Sequence, residues 1–167
     1  MTLTTHSVAG ALISQVFIST PYVGLPLAFV SHFALDAIPH WDYKLHSLSK
    51  DENNPKALIF AKDKRFIRDL FFIGLDFSLG LVLPVIIFYI LGWSFSIWIL
   101  IGMGLGMVPD FFQFVYSHFR NPILGVLQSF HVWIHTNMRL KNHLVGISSQ
   151  FVIICLMVVF AYFLKLN

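Results

Sequence analysis

The chain has 167 residues, of which 57% are hydrophobic and only 11% are charged. A soluble domain carries about 25% charged residues, so the composition excludes an ordinary soluble protein and indicates one membrane domain over residues 1–167. The formal charge of +3 is small, and the basic residues are not interleaved with aromatic ones, which argues against a nucleic-acid-binding protein. The lone cysteine, Cys155, cannot form a disulfide within the chain. The opening MTLTTHSVAG has no basic residue, so we expect no cleaved signal peptide.

Two short apolar runs, SVAGALISQVFIS and LPLAFVSHFALDAI, open the chain. Residues 20–26 lie between them and contain two prolines and a glycine, which favour a turn over a continuous helix. We therefore predict a short N-terminal helical hairpin. A single span over residues 8–30 is the alternative, because about 20 apolar residues suffice to cross a bilayer.

Residues 41–65 form the one extended polar segment, with a break at Asn53-Asn54-Pro55. Basic residues cluster in and just after it, which is typical of a cytoplasmic loop. We therefore expect a multi-pass protein of the inner (cytoplasmic) membrane. We expect Asp69, beside Arg68, to form a solvated ion pair at the interface. The basic cluster consists of Lys44, Lys50, Lys56, Lys62, Lys64, Arg65 and Arg68.

A long apolar run over residues 66–91 predicts a span bent at Pro84. A tight turn at Gly92-Trp93 follows, and residues 94–108 return across the membrane. This returning leg carries Gly102 and Gly106 at the spacing that lets two helices approach closely.

Asn121-Pro122 is typical of a helix start, with a capping side chain followed by proline in the first turn. The helix should run through about Thr136, and residues 144–164 form a last span. The fold class we predict is an all-α polytopic membrane protein with about five membrane-embedded helices.

Ionisable residues interrupt these apolar runs. His32, Asp36 and Asp76 all lie in segments that a bilayer should keep apolar. Such groups cost several kcal/mol unless they are paired or bound to metal, so each is a candidate functional residue. Imidazoles and carboxylates are the ligands that suit zinc and related divalent metals.

Helical spacing groups the candidates further. His32 and Asp36 are four residues apart and project from one helix face, with His40 one turn beyond. His131 and His135 repeat that spacing on a later helix. The alternatives are a polar pair that links helices, for the first set, and histidines that merely face water, for the second.

Further candidates follow from position. Asp76 should lie at a depth similar to His32, Asp110 ends an apolar leg as a ligand or a helix cap, and His6 precedes the first run. Asp42 is either a ligand or a partner that orients a ligand histidine. In the hairpin topology all of them face the same side of the membrane. The candidate metal ligands are His6, His32, Asp36, His40, Asp76, Asp110, His131 and His135.

Four segments resemble a known family, the inner-membrane metal-dependent hydrolases, some of which are LexA-regulated. They are THSVAG at residues 5–10, DAIPHWD at 36–42, Pro109-Asp110, and HVWIHT at 131–136. They resemble the family's T-H-x-x-x-G opening, its proline-acid turns P-D-x-D, and its H-R-x-x-T-H-S motif. The sequence departs from the family at His40, Val132 and Thr136, which replace an acid, an arginine and a serine.

The family is distantly similar to the zinc-dependent phospholipase C and P1 nuclease group, whose H-x-x-x-D pairs His32 and Asp36 match. The resemblance implies a hydrolase with one or more zinc ions, acting on phosphoester bonds of a membrane lipid or similar amphiphile. Asp42 or Asp110 would act as the catalytic base.

Two other functions fit the composition. A proton or metal-ion transport component would need polar residues through the full membrane depth, whereas LVLPVIIFYIL and FVIICLMVVFAYF are almost wholly apolar. A non-catalytic scaffold would bind no metal, and His32→Ala would then cost stability only.

Overall fold

The computed structural model describes residues 1–51, 58–61, 63–136, 138, 140 and 142–166. These residues form six helices and a two-stranded antiparallel sheet. The predicted break at Asn53-Asn54-Pro55 and the lysines at 56 and 62 lie outside them. In chain order the elements are α1 (Leu3–Val16), α2 (Pro21–Asp36), β1 (Leu48–Lys50), β2 (Leu58–Phe60), α3 (Lys64–Ile90), α4 (Ile97–His118), α5 (Pro122–Ile134) and α6 (His143–Leu166).

Three of the described helices, α3, α4 and α6, are long and apolar enough to cross a membrane. The first two helices differ from them in length. α1 has 14 residues and α2 has 16, so at about 1.5 Å per residue neither spans a hydrocarbon core of about 30 Å without thinning of the bilayer. The chain reverses between them over residues 17–20, and the two pack against each other. They therefore form a hairpin and not one continuous span.

α1 lies at the centre of the molecule, against α2, α3, α4 and α6. Its contact with α4 depends on glycine. A Cβ added to Gly106 would overlap the carbonyl oxygen of His6, and one added to Gly10 would overlap that of Gly102. The predicted close approach thus occurs between α4 and α1, and it fixes the position of His6 relative to α4.

Three prolines lie inside helices: Pro26, Pro84 and Pro109. The predicted turn over 20–26 is therefore shorter, because Pro21 starts α2 and Pro26 continues it. The predicted end at residue 108 is also wrong, since α4 runs through Pro109 to His118. Membrane helices tolerate proline where neighbouring groups satisfy the backbone, and proline in the first turn is favourable.

Other local predictions agree with the structure. Asn121 caps α5 by accepting from the amide of Ile123 at 2.8 Å. Gly92 ends α3 with φ of 65°, and the amide of Trp93 donates to the carbonyl of Phe88 at 2.9 Å, the geometry of a glycine-terminated helix.

The prediction of a solvated Asp69 is wrong. Its side chain is buried and accepts from the amide and hydroxyl of Ser47 at 2.6 and 2.7 Å, as well as from Arg68 at 3.2 Å. The carboxylate thus fastens the segment after His40 to α3, which sequence alone did not place.

Candidate metal centre

The cluster is centred on Asp36, the last residue of α2, whose side chain is only 1% exposed. Its Oδ2 lies 3.0 Å from Nε2 of His131 and 3.2 Å from Nε2 of His32. Its Oδ1 lies 3.2 Å from Nε2 of His6 and 3.8 Å from Nε2 of His40. One buried carboxylate is therefore shared by histidines from several parts of the chain.

Local helix geometry explains why these side chains meet. His32 and Asp36 are one turn apart on α2, and His40 follows in the segment just after the helix. On α5, His131 is in the last turn and His135 is the residue that ends the helix. Nε2 of His135 lies 4.0 Å from Oδ2 of Asp36. Both predicted pairs thus turn toward one point.

Asp110 joins the cluster from α4, one residue after Pro109. Its Oδ1 lies 3.6 Å from Nε2 of His32 and 3.9 Å from Nε2 of His131. Pro109 has no amide to donate to the preceding turn, and the carbonyl of nearby Gly106 accepts a hydrogen bond from the ring of His32 at 2.8 Å. This stretch of α4 supplies both a carboxylate and a carbonyl that orients a histidine.

Three histidines share one hydrogen-bonding arrangement, in which Nδ1 faces a backbone carbonyl. A carbonyl oxygen only accepts, so Nδ1 carries the proton and Nε2 of the neutral ring presents a lone pair. In each ring that Nε2 faces Asp36. The pairs are His32 with Gly106 at 2.8 Å, His40 with Ile38 at 2.7 Å, and His135 with Thr136 at 3.0 Å.

A lone pair aimed at a carboxylate is unfavourable unless a positive charge lies between them. Nε2 of His32 is buried, faces Asp36 and Asp110, and makes no hydrogen bond among the described residues. Both ring nitrogens of the fully buried His6 also lack a hydrogen-bond partner there, and its ring stacks on His32 at 3.9 Å. Donating Nδ1 to a carbonyl while offering Nε2 is how metal-binding histidines are oriented.

Two groups of ligand atoms are each close enough to hold a metal ion. His32, Asp36, Asp110 and His131 form the first, and Asp36, His40 and His135 form the second, with ligand atoms within 4.8 Å of one another. Zinc binds these atoms at about 2.0–2.2 Å, so tetrahedral ligands lie about 3.3 Å apart. The distances of 3.0 to 3.9 Å in the first group bracket that value. The residues therefore fit a divalent metal, and Asp36 belongs to both groups.

The second group has charged neighbours. Asp42 Oδ1 lies 3.3 Å from Nε2 of His40 and 3.1 Å from the amine of Met1. That amine also lies 2.6 Å from Asp36 and 2.9 Å from His40. The Met1 amine thus occupies the space between these ligands, and a metal ion would bind the second group only if that amine moved away.

The protonation states of Asp42 and His135 suit metal binding. Burial raises the pKa of Asp42, but the neighbouring His40 ring and the charge of the Met1 amine hold that pKa below its usual range. Burial lowers the pKa of His135, although the charge of Asp36 opposes the shift. Near neutral pH, Asp42 is therefore ionised and His135 keeps its lone pair.

Two predicted ligands lie outside both groups: His6, whose Nε2 is 3.2 Å from Oδ1 of Asp36, and Asp76. Its carboxylate accepts from the amide of Leu3 at 2.8 Å and from the amide and hydroxyl of Thr4 at 3.0 and 2.7 Å. These are the donors at the start of α1, which no preceding turn can satisfy. In this arrangement Asp76 caps α1 and thereby holds His6 in place.

Two neighbours of the cluster escaped the sequence analysis. Burial raises the pKa of Tyr43, and the charges of Asp76 and Asp110 add to the shift, so its phenol stays protonated as a donor. Gln150 of α6 accepts from both Thr2 and Thr5 and donates to the carbonyl of Trp41 at 2.7 Å. The position of Gln150 inside the apolar run 144–164 could have drawn attention to it, whereas nothing in the sequence distinguishes Tyr43.

No family model matches the sequence, and no curated protein or solved structure is measurably similar to it. The resemblance to inner-membrane hydrolases therefore rests on the four short motifs. The described structure itself establishes a buried His/Asp group that could hold a metal ion, among helices of which three could cross a membrane.

Proposed function

We propose that this chain is a metal-dependent hydrolase of the inner membrane that cleaves phosphoester bonds in lipids or lipid-like substrates. One observation carries the proposal: three histidines, each locked by a backbone carbonyl, aim Nε2 at the same buried carboxylate, Asp36. Mixed imidazole and carboxylate donors favour zinc among the common divalent metals. The motifs shared with the hydrolase family support the same conclusion.

The two ligand groups share Asp36 and would hold two ions, a number common in enzymes that cleave phosphoesters. Zinc in such a site supplies a water whose pKa is lowered toward neutrality. His32, Asp110 and His131 would hold one ion, and His40 and His135 the other, with His6 beside the shared carboxylate. Asp76 would join them only if the start of α1 moved away from it.

Proton transfer falls to the more open carboxylates. The side chains of Asp42 and Asp110 are 22% and 31% exposed, against 1% for Asp36. An ionised carboxylate within reach of a water can take its proton. We assign that role to Asp42, and to Asp110 when it is not a metal ligand. The lysine-rich segment supports a site at the cytoplasmic face, which a tag-accessibility assay on residues 44–65 would check.

The first experiment is elemental analysis of detergent-purified protein. We expect near-stoichiometric zinc in wild type and at least a tenfold loss in folded His32→Ala and His131→Ala, with His46→Ala as the control because that histidine is exposed and remote. A folded wild type that neither contains metal nor takes it up would overturn the proposal in favour of a scaffold or a proton pathway. Metal-loaded protein would then be assayed on phospholipids, with released headgroup measured by mass spectrometry.

A further inference from the structure

An apolar groove lies between α2 and α5, beside the metal centre. It has a volume of about 280 Å³. Every side chain that lines it is apolar, and three of them are exposed: Val30 (55%), Phe130 (41%) and Ala34. The lining consists of Phe29, Val30, Phe33, Ala34, Leu127, Phe130 and Ile134.

The groove is continuous with the ligand cluster. Phe29, Phe33 and Leu127 also line a narrow recess that extends to His131 and Pro109. The ring of Phe33 meets the rings of His32 and His131 edge-on, with centroids 5.4 and 5.6 Å apart. One phenylalanine thus forms the wall of both the groove and the first ligand group.

The lining decides what kind of molecule fits. None of its side chains can donate or accept a hydrogen bond. An acyl chain needs no hydrogen bonds, so it suits such a lining. Exposed apolar side chains of a membrane protein already contact acyl chains, so the open side at Val30 and Phe130 faces the source of such a ligand.

We propose that this groove binds one acyl chain of a membrane phospholipid whose phosphate reaches the ligand cluster at His131 and Asp110. The inference rests on the proposed hydrolase function and names its substrate class: a phosphoester that carries a long acyl chain and approaches sideways from the bilayer. A cation site at one end and an apolar groove at the other match an anionic headgroup and its tail.

The test blocks the groove without touching a ligand. Ala34→Phe adds a ring to the lining, and Leu27→Phe is the control, because Leu27 is an exposed position of the same helix that does not line the groove. Native mass spectrometry of the protein in a delipidating detergent, with added phosphatidylglycerol, measures retained lipid. Metal content is measured on the same samples.

We expect one phosphatidylglycerol per chain in wild type and in Leu27→Phe. Retention should fall about tenfold in Ala34→Phe, the effect of excluding roughly two methylenes from an apolar site, while metal content stays the same. Equal retention in the two variants would overturn the proposal. Loss of bound lipid together with formation of a dimer in wild type would also overturn it, since a second copy would then cover the groove.

A hydrolysis assay separates this inference from the function on which it rests. Ala34→Phe should slow cleavage of phosphatidylglycerol about tenfold and leave the deacylated glycerophosphodiester unaffected, because only the former uses the groove. Equal slowing of the cleavage of both substrates would contradict binding of the acyl chain in the groove but would leave the hydrolase function standing. No cleavage of either substrate by metal-loaded wild type contradicts the hydrolase function, whatever the lipid retention shows.

Discussion

Two buried carboxylates in this molecule have opposite surroundings. Asp36 faces the Met1 amine and imidazole nitrogens from several histidines, whereas Asp76 faces backbone amides and a threonine hydroxyl that only donate to it. Both lie in apolar segments and both attract attention in the sequence. The comparison teaches that burial of a charge does not define its role; the hydrogen-bonding character of its neighbours does.

The largest effect should come from Asp36→Ala. The side chain belongs to both ligand groups, so we expect the total metal content of the folded variant to fall at least tenfold. Elemental analysis of detergent-purified protein checks this, with Asp76→Ala as the matched buried carboxylate that should keep its metal. Metal retained in Asp36→Ala would contradict the assignment of Asp36 as a ligand and its contrast with Asp76.

The next effect separates one ion from two. His40 belongs to the second group only, so His40→Ala should remove about one of two ions and leave the first group intact. Titration of metal-stripped protein with zinc gives the stoichiometry of each variant. A wild type that binds a single ion, all of it lost in His40→Ala, would contradict the bridged pair.

Asp76→Ala should instead destabilise the fold. It leaves the first donors of α1 without their acceptor, and we expect the free energy of unfolding to fall by about 3 kcal/mol. Thermal unfolding in detergent measures the change, and Asp63→Ala, which removes the exposed N-cap of α3, should cost only about 1 kcal/mol. Loss of metal from folded Asp76→Ala would support the sequence-based assignment of Asp76 as a ligand.

The smallest effect concerns the packing that brings His6 to Asp36. An alanine methyl at Gly106 would overlap the carbonyl oxygen of His6, so Gly106→Ala should cost about 2 kcal/mol through overpacking. Gly104→Ala on the same helix meets open space and serves as the control in the same unfolding assay. Equal stability of the two variants would show that α1 and α4 separate without cost.

Spacing along one helix predicted much of the cluster. His32 with Asp36 and His131 with His135 share faces because four residues make about one turn, and their apolar setting marked them as unusual. The long apolar runs likewise predicted α3 and α6. Spacing along one helix does not predict which residues of different helices meet. Asp76 and Asp110 were therefore both candidate ligands, although Asp110 is the one that lies 3.6 Å from His32.

The errors have physical causes of the same kind. Proline was read as a helix end at residues 26 and 109, yet both helices continue, because in an apolar setting the backbone gains more from remaining helical than from opening. The strands at 48–50 and 58–60 lie in a segment whose pairing depends on contacts with α4. Tyr43 had no signal, since its role arises only where Asp76 and Asp110 converge.

The burial of α1 has a consequence for how the protein is made. α1 leaves the ribosome before every helix against which it packs, and α6 is synthesised last. Chains emerge at about 5–20 residues per second, so the short helix that carries His6 is synthesised well before the helices against which it packs. Assembly of the His/Asp cluster is therefore a late event in biogenesis, which requires that α5 has delivered His131 and that α6 has packed against the first helix.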